Sequence, residues 1–173
     1  ATLISELTKC TKSYELIFVN DGSTDNSLEI VKKICHATTE AKYINLSRNF
    51  GHQVAVSAGI DHAQGDRVLL IDSDGQDPPE AVASMLVKMQ EGYDVVYAKR
   101  AKRADESFLK KATAKAFYHI LNKITSVEIP VDTGDFRVMN RKVVDALKRM
   151  PEKQRYLRGQ IAWLGYKQTY ITY

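Results

Sequence analysis

The sequence predicts a three-layer α/β fold around a mostly parallel central sheet. Three observations carry that reading. Short apolar runs alternate with helical stretches from residue 14 to residue 98, the pattern of strands joined by right-handed helical crossovers. Two of these runs end in acidic turns, at Asp21-Gly22 and at Asp72-Ser73-Asp74-Gly75, and sheets of this kind bind ligands at the carboxyl ends of their strands. Finally, 173 residues with 44% hydrophobic and 27% charged content suit one soluble globular domain with a single core.

Leu3, Ile4 and Leu7 give the first twelve residues a fragmentary helical stripe. Tyr14 to Asn20 reads as a buried strand. The turn Asp21-Gly22-Ser23-Thr24-Asp25 follows, then a helix to about His36, with Thr24 as its expected N-cap and Asp25 at its positive end. Lys42 to Leu46 is a second strand. Asn49-Phe50-Gly51 turns into a helix from His52 to Ala63, in which Ala55, Ala58 and Gly59 form a small-residue face suited to close packing on a sheet. Val68 to Ile71 is a third strand, apolar on both faces. Pro78 and Pro79 fit the first turn of the next helix, where a missing N–H costs little. That helix runs to about Glu91, and Tyr93 to Ala98 is a fourth strand. Beyond it, Ser107 to Ile124 has an amphipathic helical pattern. Pro130 to Asn140 reads as a loop entering a short strand, Arg141 to Met150 as a helix, Pro151 to Trp163 as another helical piece, and Tyr166 to Tyr173 as strand-like.

The chemistry concentrates after the third strand. Residues i and i+2 of an extended chain point the same way, so Asp72 and Asp74 can converge beyond the strand end. Two adjacent carboxylates repel and call for a cation between them. Hard oxygen ligands suit Mg²⁺ or Mn²⁺, which can also hold a diphosphate, and Gln76 can add an amide oxygen. A bare D-x-D is also what a solvated acidic turn looks like; the strand, turn, Pro-Pro and helix around this one favour a site.

Charge is uneven. Residues 99–123 hold eight Lys or Arg against two acids, which leaves the rest of the chain net −2 although the whole is +4. One basic patch suggests an anionic partner: phosphate, lipid headgroup or nucleic acid. Cys10 and Cys35 lack metal or redox spacing and are expected as reduced thiols in a cytosolic compartment. No apolar run approaches the length of a membrane span. With no initiator Met and strand-like residues at its end, the chain is expected to be a segment of a longer protein. His52 and His62, ten residues apart, read as packing or surface residues. Arg155 and Arg158 could meet phosphate or simply face water.

Asn20-Asp21-Gly22-Ser23 before a helix, Ser47-Arg48-Asn49-Phe50-Gly51, Asp72-Ser73-Asp74 with Gln76 and Pro78-Pro79, and Gly134-Asp135-Phe136-Arg137 together resemble the family 2 inverting glycosyltransferases. They are most similar to the polyprenyl-phosphate branch, the dolichol-phosphate mannose synthases and undecaprenyl-phosphate sugar transferases. The resemblance covers nearly the whole chain. It implies a Rossmann-like GT-A fold, here a single catalytic domain over residues 1–173 shortened at both ends. It also implies a nucleotide-sugar donor, a UDP-sugar ahead of a GDP-sugar. Asp21, Gly22, Ser23, Asp72, Ser73 and Asp74 are expected to bind that donor, with Mg²⁺ or Mn²⁺ on Asp72, Asp74 and Gln76. Arg100 is expected at a phosphate, and Asp135 and Arg137 at the acceptor or as base and its neighbour. The acceptor implied is a polyprenyl phosphate, which places the protein on an anionic membrane surface at the cytoplasmic face, with transmembrane helices after Tyr173; nucleic acid is not an expected partner. Asn20 departs from the commoner Asp at that position, and the processive Gln-x-x-Arg-Trp motif is missing.

Other readings stay open at this level. A relative acting on a sugar hydroxyl would carry the same motifs. Asp72-Ser73-Asp74-Gly75 also resembles the nucleophile loop of haloacid dehalogenase phosphatases, although that loop normally lies near the chain start and continues with Thr. A non-catalytic nucleotide-binding domain could keep the same fold.

Overall fold

The computed structural model describes residues 2–101, 134–152 and 155–173. The helix expected over Ser107–Ile124, and with it most of the basic patch, lies outside these residues.

The elements run in order α1 (Thr2–Cys10), β1 (Leu16–Asn20), α2 (Ser27–Ala37), β2 (Ala41–Asn45), α3 (His52–His62), β3 (Arg67–Leu70), α4 (Ala81–Gln90), β4 (Val95–Lys99), β5 (Arg137–Asn140), α5 (Arg141–Arg149), α6 (Leu157–Trp163) and β6 (Gln168–Thr172). The alternation read from the sequence is present. β1 and β2 pair in parallel, with Leu16 opposite Ala41 and Asn20 opposite Asn45. The remaining strands form a second sheet in the order β3-β5-β4-β6. There β4 and β6 are parallel, whereas β5 lies antiparallel between β3 and β4. The second sheet is therefore mixed.

Side-chain alternation along the strands builds the three layers. Val95, Tyr97 and Met139 face a core shared with Ile60 of α3, Val143, Val144 and Leu147 of α5, and Leu157 and Ile161 of α6. Val96, Ala98 and Val138 face the other way, onto Ala81, Val82, Met85 and Met89 of α4, with Leu7 of α1 at the edge. The small-residue face of α3 works as expected: Ala55 is buried and Gly59 lies against Val19, where an added Cβ would sit 3.3 Å from the Val19 Cγ2.

Two local expectations are corrected. Thr24 does not cap α2. Asn26 holds the N-cap position without a side-chain cap bond, and Asp25 Oδ1 accepts from the Ser27 N–H at 3.0 Å. Pro78 and Pro79 stand just ahead of α4, where their carbonyls accept the N–H groups of Ala81 and Val82 at 3.1 Å each. The Asn140 side chain caps α5 by accepting from the Val143 N–H at 3.1 Å, which fixes the strand-to-helix junction after β5. No helix among the described residues is long and apolar enough to cross a membrane.

Candidate active site

β1, β3 and β4 end in the stretches that the sequence marks for chemistry. After β1, Asn20 is buried, donates to Asn45 Oδ1 on β2 at 2.7 Å and accepts from the Ser23 N–H at 3.3 Å. This pins the turn. Asp21 then reaches across to residues 50 and 51: Oδ1 accepts from the Phe50 N–H at 2.8 Å and Oδ2 from the Gly51 N–H at 2.9 Å. Gly22 makes that approach feasible. It has φ +68°, and a Cβ built on it would lie 2.4 Å from both Arg48 C and Asn49 N. The Asn-Asp-Gly-Ser turn and the Ser-Arg-Asn-Phe-Gly loop are thus packed backbone to backbone. Asp21, expected at the nucleoside, spends both oxygens on this loop.

The loop after β3 carries Asp72, Ser73, Asp74 and Gln76, all exposed. Asp74 Oδ1 accepts from the Gln76 N–H at 2.9 Å, and the Asp72 N–H lies 3.4 Å from Asp77 Oδ2. Asp77 Oδ1 in turn accepts from the Tyr173 hydroxyl at 3.2 Å. Partial desolvation raises the Asp72 carboxyl above its ordinary value, exposed though the residue is; the nearby His52 opposes this, and Asp77, Asp135 and Asp74 add to it. Mutual repulsion of this kind is what a bound cation relieves. Two exposed carboxylates are a donor set that suits Mg²⁺ or Mn²⁺ when a diphosphate completes the shell. Among the described residues no three His, Cys, Asp or Glu side chains are grouped to hold a metal by themselves. Gln76 is otherwise engaged: its Oε1 and its carbonyl accept from Arg100 Nη2 at 3.0 and 3.1 Å. Arg100 also donates from Nε to the Tyr173 hydroxyl at 3.2 Å. Arg100 and the acidic loop are therefore in direct contact, and the oxygen expected of Gln76 for a metal belongs to Arg100 here.

Asp135 and Arg137 come together at the start of β5. Arg137 is fully buried, with its guanidinium carbon 5.2 Å from the centre of the Tyr97 ring. Its Nη2 pairs with Asp135 Oδ1, its Nε donates to the Asp135 carbonyl at 3.1 Å, and Nη1 has no hydrogen-bond partner among the described residues. Two residues that the sequence left as surface candidates join this pair. Arg158 Nε of α6 donates to Asp135 Oδ1 at 3.1 Å, and His52 Nε2 of α3 meets Oδ2 at 2.9 Å. Burial raises the Asp135 carboxyl, but the Arg158 hydrogen bond, the charges of Arg137 and Arg158 and the His52 hydrogen bond together hold it below its ordinary value. Arg155, the other arginine weighed for phosphate, pairs with Asp61 at 2.8 Å instead.

Comparison with known proteins identifies the family of the chain. The family model described as "Glycosyl transferase family 2" matches residues 2–148. The Bacillus subtilis (strain 168) protein named "Uncharacterized glycosyltransferase YkcC" is 52% identical over 94% of this chain and 50% of its own length. The Escherichia coli (strain K12) "Prophage bactoprenol glucosyl transferase homolog" is 40% identical over 94% of this chain and 54% of its own. The chain spans about half the length of the curated relatives it matches. Among solved structures, the Pyrobaculum calidifontis mannosyltransferase PcManGT, in complex with GDP-Man and Mn²⁺, superposes with TM-score 0.59 at 19% identity, covering 91% of this chain and 45% of that one. Staphylococcus aureus TarS in complex with UDP superposes with TM-score 0.59 at 19% identity, covering 99% and 56%. These likenesses establish the GT-A fold expected from the sequence. The chain belongs to glycosyl transferase family 2.

Proposed function

We propose that this protein transfers a sugar from a nucleotide-sugar donor to a polyprenyl phosphate in cell-envelope glycan synthesis, at the cytoplasmic face of a membrane. Residues 1–173 form its catalytic domain. The observation that carries the acceptor is the environment of Asp135. A hydroxyl acceptor needs a general base whose pKa lies near the working pH. Asp135 is held the other way by two arginines and a histidine. A phosphate acceptor arrives already as an oxyanion and needs cations around it more than a base. The family resemblance and the printed names of the bactoprenol relatives point the same way.

In this reading Asp21, Gly22 and Ser23 shape the nucleoside side of the cleft, and Asp72, Ser73 and Asp74 face the diphosphate. Asp72 and Asp74 would hold Mg²⁺ or Mn²⁺, while Gln76 is engaged by Arg100. When bound, the ion supplies positive charge that holds the diphosphate and stabilises it as it leaves. Arg100 contributes to the same end from the rim of β4. Asp135 holds Arg137 and Arg158 in place beside the acceptor. The donor is a UDP- or GDP-sugar, the two nucleotides seen in the superposed structures. The basic stretch over residues 99–123 supports contact with anionic headgroups.

The test is a donor screen on the intact protein with Mn²⁺, comparing undecaprenyl phosphate with undecaprenol, which lacks the phosphate. Transfer to the phosphate alone is expected; comparable transfer to the alcohol would overturn the acceptor assignment. In the same assay Arg100→Ala is expected to lower the rate by about a hundredfold, roughly 3 kcal/mol of stabilisation of developing phosphate charge. Arg100→Lys should recover only part, because the planar fork is lost. Full activity in Arg100→Ala would remove Arg100 from the phosphate.

A further inference from the structure

We infer that His52 is a positioning residue: it fixes the carboxylate of Asp135 from the α3 side of the cleft. This rests on the sugar-transfer reading of the site. The placement of His52 has two independent supports. The first is the contact itself. A carboxylate only accepts, so Nε2 of His52 must carry the proton and donate to Asp135 Oδ2 across 2.9 Å. Oδ1 is taken by Arg137 and Arg158. Each oxygen therefore has its own anchor, and among the described residues His52 is the one that holds Oδ2.

The second support is the way His52 is held. It opens α3, directly after the two residues whose N–H groups Asp21 grips. The close approach at Gly22 locks the preceding loop against the end of β1. Rigid backbone on both sides makes His52 a fixed arm instead of a floating surface side chain, although its side chain is 47% exposed. Among the described residues, the charged groups that face it are Asp135 in contact and Asp72 nearby, with Arg137 and Arg158 behind Asp135. His52 thus stands between the acid expected at the donor diphosphate and the acid expected at the acceptor. A side chain there with a single donor aimed at Asp135 sets the acceptor-side geometry without touching the reacting atoms.

The experiment is steady-state kinetics of the intact protein and its His52→Ala, His52→Gln and Asp135→Asn variants, together with ¹⁵N NMR of the His52 ring. His52→Ala is expected to lower kcat about tenfold with the donor KM unchanged, the size of one lost hydrogen bond to a charged group. His52→Gln, whose amide N–H can replace the donor, should recover most of that loss. His52→Ala added to Asp135→Asn should cost little more than Asp135→Asn alone. In the NMR arm, Asp135→Asn should shift the Nε2 signal of His52. Additive losses, no recovery by Gln, or a His52 signal indifferent to Asp135→Asn would overturn the inference. An intact protein that transfers no sugar, yet shows the NMR coupling, would fault the functional reading and leave the contact standing.

Discussion

Gly22→Ala is expected to destabilise the protein by about 3 kcal/mol, combining a left-handed backbone penalty with overpacking of a closed contact. Gly22 has φ +68°, which an L residue adopts at a cost, and its new methyl would press on the backbone of Arg48 and Asn49 at 2.4 Å. Backbone atoms cannot swing aside as a side-chain tip can. The loop must move, and with it go the bonds from Phe50 and Gly51 to Asp21. Gly75 supplies the control. Its φ is +74°, but nothing lies within 4 Å of its Cβ position, so Gly75→Ala should show the backbone penalty alone, about 1 kcal/mol. Urea denaturation of the two variants measures the difference, and equal midpoints would mean that the close approach at Gly22 carries no energy. A domain of this kind has roughly 5–15 kcal/mol of stability to lose, so the larger effect is within easy reach of that measurement.

The same loop shows what a sequence can and cannot announce. Asn20-Asp21-Gly22-Ser23 and Arg48-Asn49-Phe50-Gly51 are each visible as turn chemistry, and each sits where strand-and-helix alternation places a ligand cleft. Their mutual contact is not visible, because it depends on β1 and β2 pairing in parallel with Asn20 opposite Asn45. His52 is a surface residue as the sequence suggests, but its contact with Asp135 is hidden for a related reason. Measured against His62 on its own helix it has no partner at ligand spacing, whereas its partner, Asp135, is 83 residues away. Between meeting phosphate and facing water the sequence leaves Arg158 open, because seven residues of helix say nothing about which face meets Asp135. The direction of β5 itself was hidden, since Arg-Val-Met-Asn alternates identically in a parallel or an antiparallel ladder. Burial, by contrast, was legible: Val95 through Ala98 form a run apolar on both faces and are buried on both, which is what two flanking helix layers require. The acidic loop lay where it was expected, at the carboxyl end of β3. The diversion of Gln76 to Arg100 was not legible, because that contact joins loops 24 residues apart through the order of strands in the sheet.

Asp72→Asn or Asp74→Asn should remove metal-dependent sugar transfer, with a loss of about a thousandfold or roughly 4 kcal/mol, on the scale of a catalytic metal's charge stabilisation. Both acids are exposed at a strand end and neither belongs to the core, so the fold should survive. For Asp72 the stability effect has the opposite sign to the activity effect. Partial desolvation and the charges of Asp77, Asp135 and Asp74, only partly offset by His52, raise its carboxyl above the ordinary value. A carboxyl whose folded pKa is raised binds its proton more tightly in the folded state, so its ionised form weighs against folding at neutral pH. Asp72→Asn removes that penalty. Its metal-free melting temperature should therefore lie above that of the parent near pH 7, and the two should converge as the pH falls through the range where Asp72 takes up its proton. Added Mn²⁺ with UDP or GDP should stabilise the parent and not the variant, reversing the order, because only a ligand that prefers the folded state raises its melting temperature. Calorimetric titration of Mn²⁺ in the presence of nucleotide reads the same site directly. Undiminished metal-dependent nucleotide affinity in both variants would take the metal away from this loop.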